Sequence, residues 1–144
     1  MNFMNKLKAI NISDVFSSLI KGSSQDKKYK EELHILLKAM INASKCDGII
    51  DSKEQEKIIE FMGKISMEEK LFVKREMQTP LNSEEFLKEI PKGMERQVYY
   101  MSLFAIDLDV EAERDYLEML EKKLNLTKDE ISNIHDDLGV SALI

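Results

Sequence analysis

Ala39–Glu60, AMINASKCDGIIDSKEQEKIIE, decides the reading of the chain. Ala39 to Lys45 reads as the apolar, small-residue end of one helix. Asp47-Gly48-Ile49-Ile50-Asp51 then makes a tight acidic turn, in which Gly48 suits a backbone position with positive φ. Asp51 is a good N-cap, and Glu54 three residues later completes a capping-box pair. A second helix follows, burying Ile58, Ile59, Phe61, Met62 and Ile65 and fraying at Gly63. Tyr100–Leu120, YMSLFAIDLDVEAERDYLEML, is a relaxed echo of the same pattern. Setting Glu54 beside Glu113 also pairs Ile58 with Leu117 and Phe61 with Leu120, and Asp47 matches Asp107 after one deletion. An offset of about 60 residues predicts two helical hairpins related by a pseudo-twofold axis, with their acidic turns near one another.

Upstream of the first turn, Tyr29 to Lys45 has the 3,4,3 spacing of a buried helix face in Leu33, Leu36, Leu37, Met40, Ile41 and Ser44. Ala39 and Ala43 let another helix approach closely. His34 sits beside that face as a packing residue, with no second His or Cys one turn away to make it a ligand. Further upstream, residues 21–28, KGSSQDKK, form a polar linker, so the compact domain is expected over 29–144. Residues 1–20 carry two short apolar stripes out of phase, and Lys6 and Lys8, with Lys21 just after them, outnumber Asp14 and make the segment mildly basic. Such an amphipathic arm packs on its own domain, on a second copy or on a membrane surface.

Downstream, Ser66 with Glu69 and Thr127 with Glu130 are capping boxes opening two further helices. The first of these carries Leu71, Phe72, Val73 and Met77 on its inner face. Pro80 breaks the chain, and Ser83 is read as the cap of a short helix holding Phe86, Leu87 and Ile90. Met94 to Ile106 is a second strongly apolar helix, with Tyr99 and Tyr100 on or near its buried face. Ala112, Tyr116, Leu117, Leu120 and Leu124 line the next, and Ile131, Ile134 and Leu138 the last, which Gly139 stops. No segment alternates with period two, so the expected fold is all-α, a bundle of about seven helices without a sheet.

Composition agrees with a single domain of 144 residues, with 43% hydrophobic and 33% charged residues. A formal net charge of −6 argues against a general nucleic-acid binder, which needs a basic face to displace counterions. Cys46 is the only cysteine, so no intramolecular disulfide or Cys-based zinc site forms, and its expected role is a small buried apolar residue. No apolar run reaches the roughly 20 residues of a membrane span, and no signal peptide is visible. The expected location is the cytoplasm, with residues 1–20 giving the alternative of peripheral attachment to the inner membrane. The arm and the tail VSALI, residues 140–144, are the candidate surfaces of a homodimer, and the identity of any protein partner is not legible.

The chemistry on offer is acidic. Asp47, Asp51, Glu54, Asp107, Asp109 and Glu113 supply hard oxygen ligands of the kind Ca²⁺ or Mg²⁺ prefers. Their spacing is not that of an EF-hand, because Ile49 and Ile50 occupy ligand positions. Acids at helix starts also complement exposed N–H groups and the helix dipole with no metal at all. No catalytic constellation stands out, since the chain lacks a Gly-rich phosphate loop, HExxH and GxSxG, and His34 and His135 are far apart in sequence. His135-Asp136-Asp137 puts acids where a helix end prefers cations.

Two segments carry a resemblance: KAMINASKCDGIIDSKEQEKI, and YYMSLFAIDLDVEAERDYLEMLEKKLNL with its Ala-Ile-Asp-x-Asp turn followed by Glu-Arg-x-Tyr-Leu. They resemble the TerB-like superfamily of all-helical bacterial domains, and within it the DUF533 branch that includes YebE-type proteins. The resemblance covers roughly Tyr29 to Gly139. It implies a compact helical domain linked by name to tellurite resistance and envelope stress, without an established enzymatic activity. It also implies metal-binding acids, at Asp47, Asp51 and Glu54 in the first turn and Asp107, Asp109 and Glu113 in the second. Cys46 stands where the family usually has Ala, and the Gly- and Ala-rich apolar segment of membrane-associated DUF533 proteins is missing. The expected function is a non-enzymatic interaction or scaffold module, divalent-metal-dependent through those acids. A peripheral stress protein held by the arm and a metal-assisted hydrolase are the alternatives.

Overall fold

Seven helices and no strand occupy the described residues of the computed structural model, which are 27–46, 48, 50, 52–61, 66–106 and 111–139. In chain order they are α1 Lys27–Ser44, α2 Ser52–Phe61, α3 Met67–Gln78, α4 Ser83–Glu89, α5 Glu95–Ala105, α6 Glu111–Lys123 and α7 Lys128–Leu138. The all-α expectation holds. Expectations placed on the arm, on Met62, Gly63 and Ile65, and on the tail lie outside the described residues, as do the side chains of Ile58 and Phe61.

The centre of the molecule is the contact of α1 with α5, the most extensive between any two helices. The sequence explains it. Leu36, Leu37, Met40 and Ile41 of α1 are fully buried, and Ala39 and Ala43 keep the helices close. From α5, Val98, Tyr99, Met101, Ser102, Leu103, Phe104 and Ala105 are all buried, so this helix is enclosed on almost every side. Each fully buried Leu or Met contributes about 1.5–3 kcal/mol relative to exposure. Ser102 tolerates that position because its Oγ donates to Val98 O at 2.8 Å within the helix. Around this pair, α3 and α4 pack on α1, α6 and α7 pack on α5, and α2 packs on α3. The two expected hairpins therefore differ in closeness: α6 lies along α5, whereas α2 makes its larger contact with α3 rather than with α1.

Local signals explain the helix ends. Ser66 accepts from Glu69 N, and Glu69 returns the bond to Ser66 N, a complete capping box. Thr127 and Glu130 do the same for α7. Gly139 ends α7 in the left-handed region at φ 67°. Four expectations are corrected. The cap of α4 is Asn82, whose Oδ1 accepts from Glu85 N, while Ser83 is already helical. Leu71 is 61% exposed, because Phe72, Val73 and Met77 take the inner face and the 100° step of a helix turns Leu71 away. Ala112 is exposed on the first turn of α6, ahead of the buried Tyr116. Ser44 is half-buried, its Oγ donating to Met40 O at 2.9 Å.

Candidate functional site

The end of α1 is where the acidic turn begins, and the structure shows how that turn is held. Lys45 N donates to Ile41 O, Cys46 N to Ala43 O and Gly48 N to Lys45 O, which unwinds the helix in one tight step. Gly48 has φ 152°, the positive-φ position expected of it. The Lys45 side chain folds inward and is buried. Its Nζ donates to Glu76 O and Thr79 O, both at 2.6 Å, and so caps the last carbonyls of α3 with a positive charge. Burial lowers the Lys45 ammonium below the usual lysine range; the charge of Glu76 opposes the shift and that of Lys38 adds to it. On the other side of the turn, Ile50 is buried and its carbonyl accepts from Nε2 of the buried Gln55 at 2.8 Å. The turn is thus tied to α3 through Lys45 and to α2 through Gln55.

Cys46 is half-buried and packs against the core cluster that contains Tyr116 of α6. Tyr116 is 6% exposed, and its hydroxyl has no hydrogen-bond partner among the described residues. Burial pushes the Tyr116 phenol well above the usual tyrosine range, and the negative charge of a Cys46 thiolate would push it further. The phenol therefore stays protonated, a fixed neutral donor and acceptor close to Cys46. A buried hydroxyl left unsatisfied costs about 1–3 kcal/mol, which makes this one an atom to account for.

Of the six acids singled out as metal ligands, Glu113 is half-buried in the first turn of α6, one turn before Tyr116, and it has an interaction of its own. Glu54 lies in α2, with its side chain outside the described residues. Asp47, Asp51, Asp107 and Asp109 lie outside them altogether. Among the described residues, no group of three or more His, Cys, Asp or Glu is placed to hold a metal ion.

A second buried polar cluster joins α5, α6 and α7. Tyr99 Oη donates to Glu121 Oε1 at 3.0 Å and lies 2.7 Å from His135 Nε2. Tyr99 has one proton to give, and an ionised Glu121 can only accept, so His135 presents Nε2–H to Tyr99 Oη. Burial first, then the charge and hydrogen bond of Glu121, holds the Tyr99 phenol far above the usual tyrosine range. His135 is 1% exposed, so the acidic neighbours Asp136 and Asp137 surround a side chain that points into the bundle. Sequence reasoning missed both clusters. The signal was present for His135, which falls in phase with Ile131, Ile134 and Leu138 on one helix stripe. Lys45 offered a weaker one, as a cation just past a helix end. His34, expected as a packing residue, stacks on Phe72 with ring centroids 4.3 Å apart.

An all-helical bundle centred on two apolar helices is the architecture expected of a TerB-like domain. Residues 5–138 match the family model described as "Protein of unknown function (DUF533)", a TerB-like family, and the chain belongs to that family. The match begins within the N-terminal arm. No curated protein and no solved structure matches the chain. Among the described residues, no helix is long and apolar enough to cross a membrane.

Proposed function

We propose that the protein is a non-enzymatic interaction module whose two acidic turns take up a divalent cation, Ca²⁺ or Mg²⁺, and present their helices to a partner. The observation that carries this reading is the buried Tyr116 hydroxyl of α6, which feels the charge of Cys46 and has no hydrogen-bond partner among the described residues. Cys46 immediately precedes Asp47, and Tyr116 follows Glu113 by three residues. The neighbourhood of these two residues supports bringing the acids of the first turn toward the start of α6. The buried, unpartnered Tyr116 hydroxyl fits such a group, since a cation's shell of water and carboxylate oxygen is what it needs. Lys45 and Gln55 supply the rigidity a binding turn needs, because each fixes a backbone group of a neighbouring element. Asp47, Asp51, Glu54, Asp107, Asp109 and Glu113 would hold the ion, which supplies positive charge to draw the turns together.

The test is calorimetric titration of EDTA-stripped protein with Ca²⁺, Mg²⁺, Mn²⁺ and Zn²⁺, repeated on Asp47→Asn combined with Asp107→Asn. Saturable binding by the native protein, lost in the double variant, is expected. Absence of heat at millimolar cation would return the acids to the role of helix caps.

A further inference from the structure

The outer face of α3 carries an apolar patch framed by charges. Among the described residues, Met67 and Leu71 are the large hydrophobic side chains left exposed, at 69% and 61%, and they stand one turn apart on this helix. Apolar residues exposed singly need no explanation, but two in line make a patch. Glu68, Lys74 and Arg75 are exposed around them. The 100° step of a helix puts Glu68 and Arg75 on one side of Leu71, and Met67 and Lys74 on the other. Glu68 lies in the first turn of α3 and Arg75 in the last. Glu68 and Lys74 make no ion pair among the described residues. The guanidinium of Arg75 is 5.8 Å from the centre of the Phe72 ring, which holds it at the edge of the face.

This face is complementary to itself. A second α3 laid antiparallel, with a twofold axis at Leu71, sets Glu68 of each copy level with Lys74 and Arg75 of the other. Leu71 then meets Leu71, and Met67 covers the aliphatic stem of the other copy's Lys74. Glu68 meets Arg75 on the same side of the seam, twice over. Parallel pairing would instead set Glu68 against Glu68 and Arg75 against Arg75, so the charges select the antiparallel arrangement. We infer that the outer face of α3 is a self-association surface, on which two copies of the chain pair antiparallel through Met67 and Leu71 with Glu68 of each against Arg75 of the other. The 12 residues of α3 make a helix about 18 Å long, so the contact falls below the roughly 1,200 Å² of a standard interface. The dimer is therefore weak, with a dissociation constant in the high micromolar range, and the protein is monomeric at the low micromolar concentration of a thermal melt.

The experiment is sedimentation equilibrium of the full-length protein from micromolar to millimolar concentration, in EDTA so that the cation reading plays no part. The average mass of the native protein is expected to rise toward twice that of one chain. Leu71→Glu is expected to stay monomeric throughout, with the circular dichroism spectrum of the native fold. Glu68→Lys and Arg75→Glu are each expected to weaken association at least about tenfold, since like charges then meet at both ends of the seam. An equimolar mixture of these two variants is expected to associate again, because each offers the charge that the other lacks. A native protein that remains monomeric at millimolar concentration overturns the inference. If that monomer floats with anionic vesicles and Leu71→Glu does not, the face belongs to a membrane surface. Association that survives Leu71→Glu belongs to another surface, such as residues 1–20 or 140–144, and overturns the inference as well. Failure of the mixture to recover overturns the antiparallel pairing itself.

Discussion

Tyr99 shows how much a single side chain can organise here. Its hydroxyl meets Glu121 of α6 and His135 of α7 inside the bundle, so one phenol from the central helix ties down two outer ones. Tyr99→Phe keeps the ring and removes that tie from both neighbours. The expected loss is about 1–3 kcal/mol, read as a lower urea midpoint with an unchanged slope. The tyrosines also set the alkaline limit. Tyr99, Tyr100 and Tyr116 all titrate above the unfolded tyrosine value of 10.0. Their neutral forms are favoured by folding, so their contribution is complete below pH 10 and is lost as pH rises beyond it. Between the unfolded and folded values, each of the buried Tyr99 and Tyr116 lowers stability by about 1.4 kcal/mol per pH unit, while solvent screening at the part-exposed Tyr100 makes its share smaller. Urea midpoints measured upward from pH 9 are expected to be level at first and then to fall, less steeply in Tyr99→Phe. The role of Tyr99 was not legible beforehand, because periodicity reports that a position is buried and not which polar group from another helix meets it.

Within an element, α3 separates what pattern reading can and cannot resolve. Phe72, Val73, Met77 and Leu71 are all apolar, and over twelve residues two adjacent helix faces fit them equally well. The structure buries the first three and leaves Leu71 and Met67 outside, one turn apart. Met77→Ala is expected to cost about 2–5 kcal/mol, whereas Leu71→Ala should stay within about 0.5 kcal/mol. Thermal melts of the pair check the assignment, and a large loss from Leu71→Ala would contradict it. Ends are another matter. The boxes of Ser66 with Glu69 and Thr127 with Glu130 formed as read, because the partners lie three residues apart and need nothing else. Thr127→Ala is expected to cost about 1 kcal/mol in the same assay. The cap of α4 was misplaced by one residue, since Asn82 and Ser83 are both good caps and only the backbone at Asn82, φ −129° and ψ 90°, is non-helical.

At the scale of the whole molecule, α1 and α5 are the axis on which everything else rests. A cation bound between the turns that follow these two helices would act on the whole domain, since it binds the folded chain and not the unfolded one. At about a hundred times its Kd it would stabilise the fold by about 2.7 kcal/mol, so melts of EDTA-stripped protein are expected to shift upward with millimolar Ca²⁺ or Mg²⁺. An unchanged melting temperature would count against the cation. The sequence alone determined the all-α class, the order of the helices, the two apolar helices at the centre and most of the helix ends. These rest on 3.6-residue periodicity, on caps spanning three residues and on glycines at positive φ, all of them local along the chain. Only the tertiary structure decided that Lys45 would cap α3 and that Tyr99 would join Glu121 to His135. These pairs are 22 to 36 residues apart, and they meet because close packing brings specific faces together and a buried polar group must then find whatever partner the neighbouring helix presents.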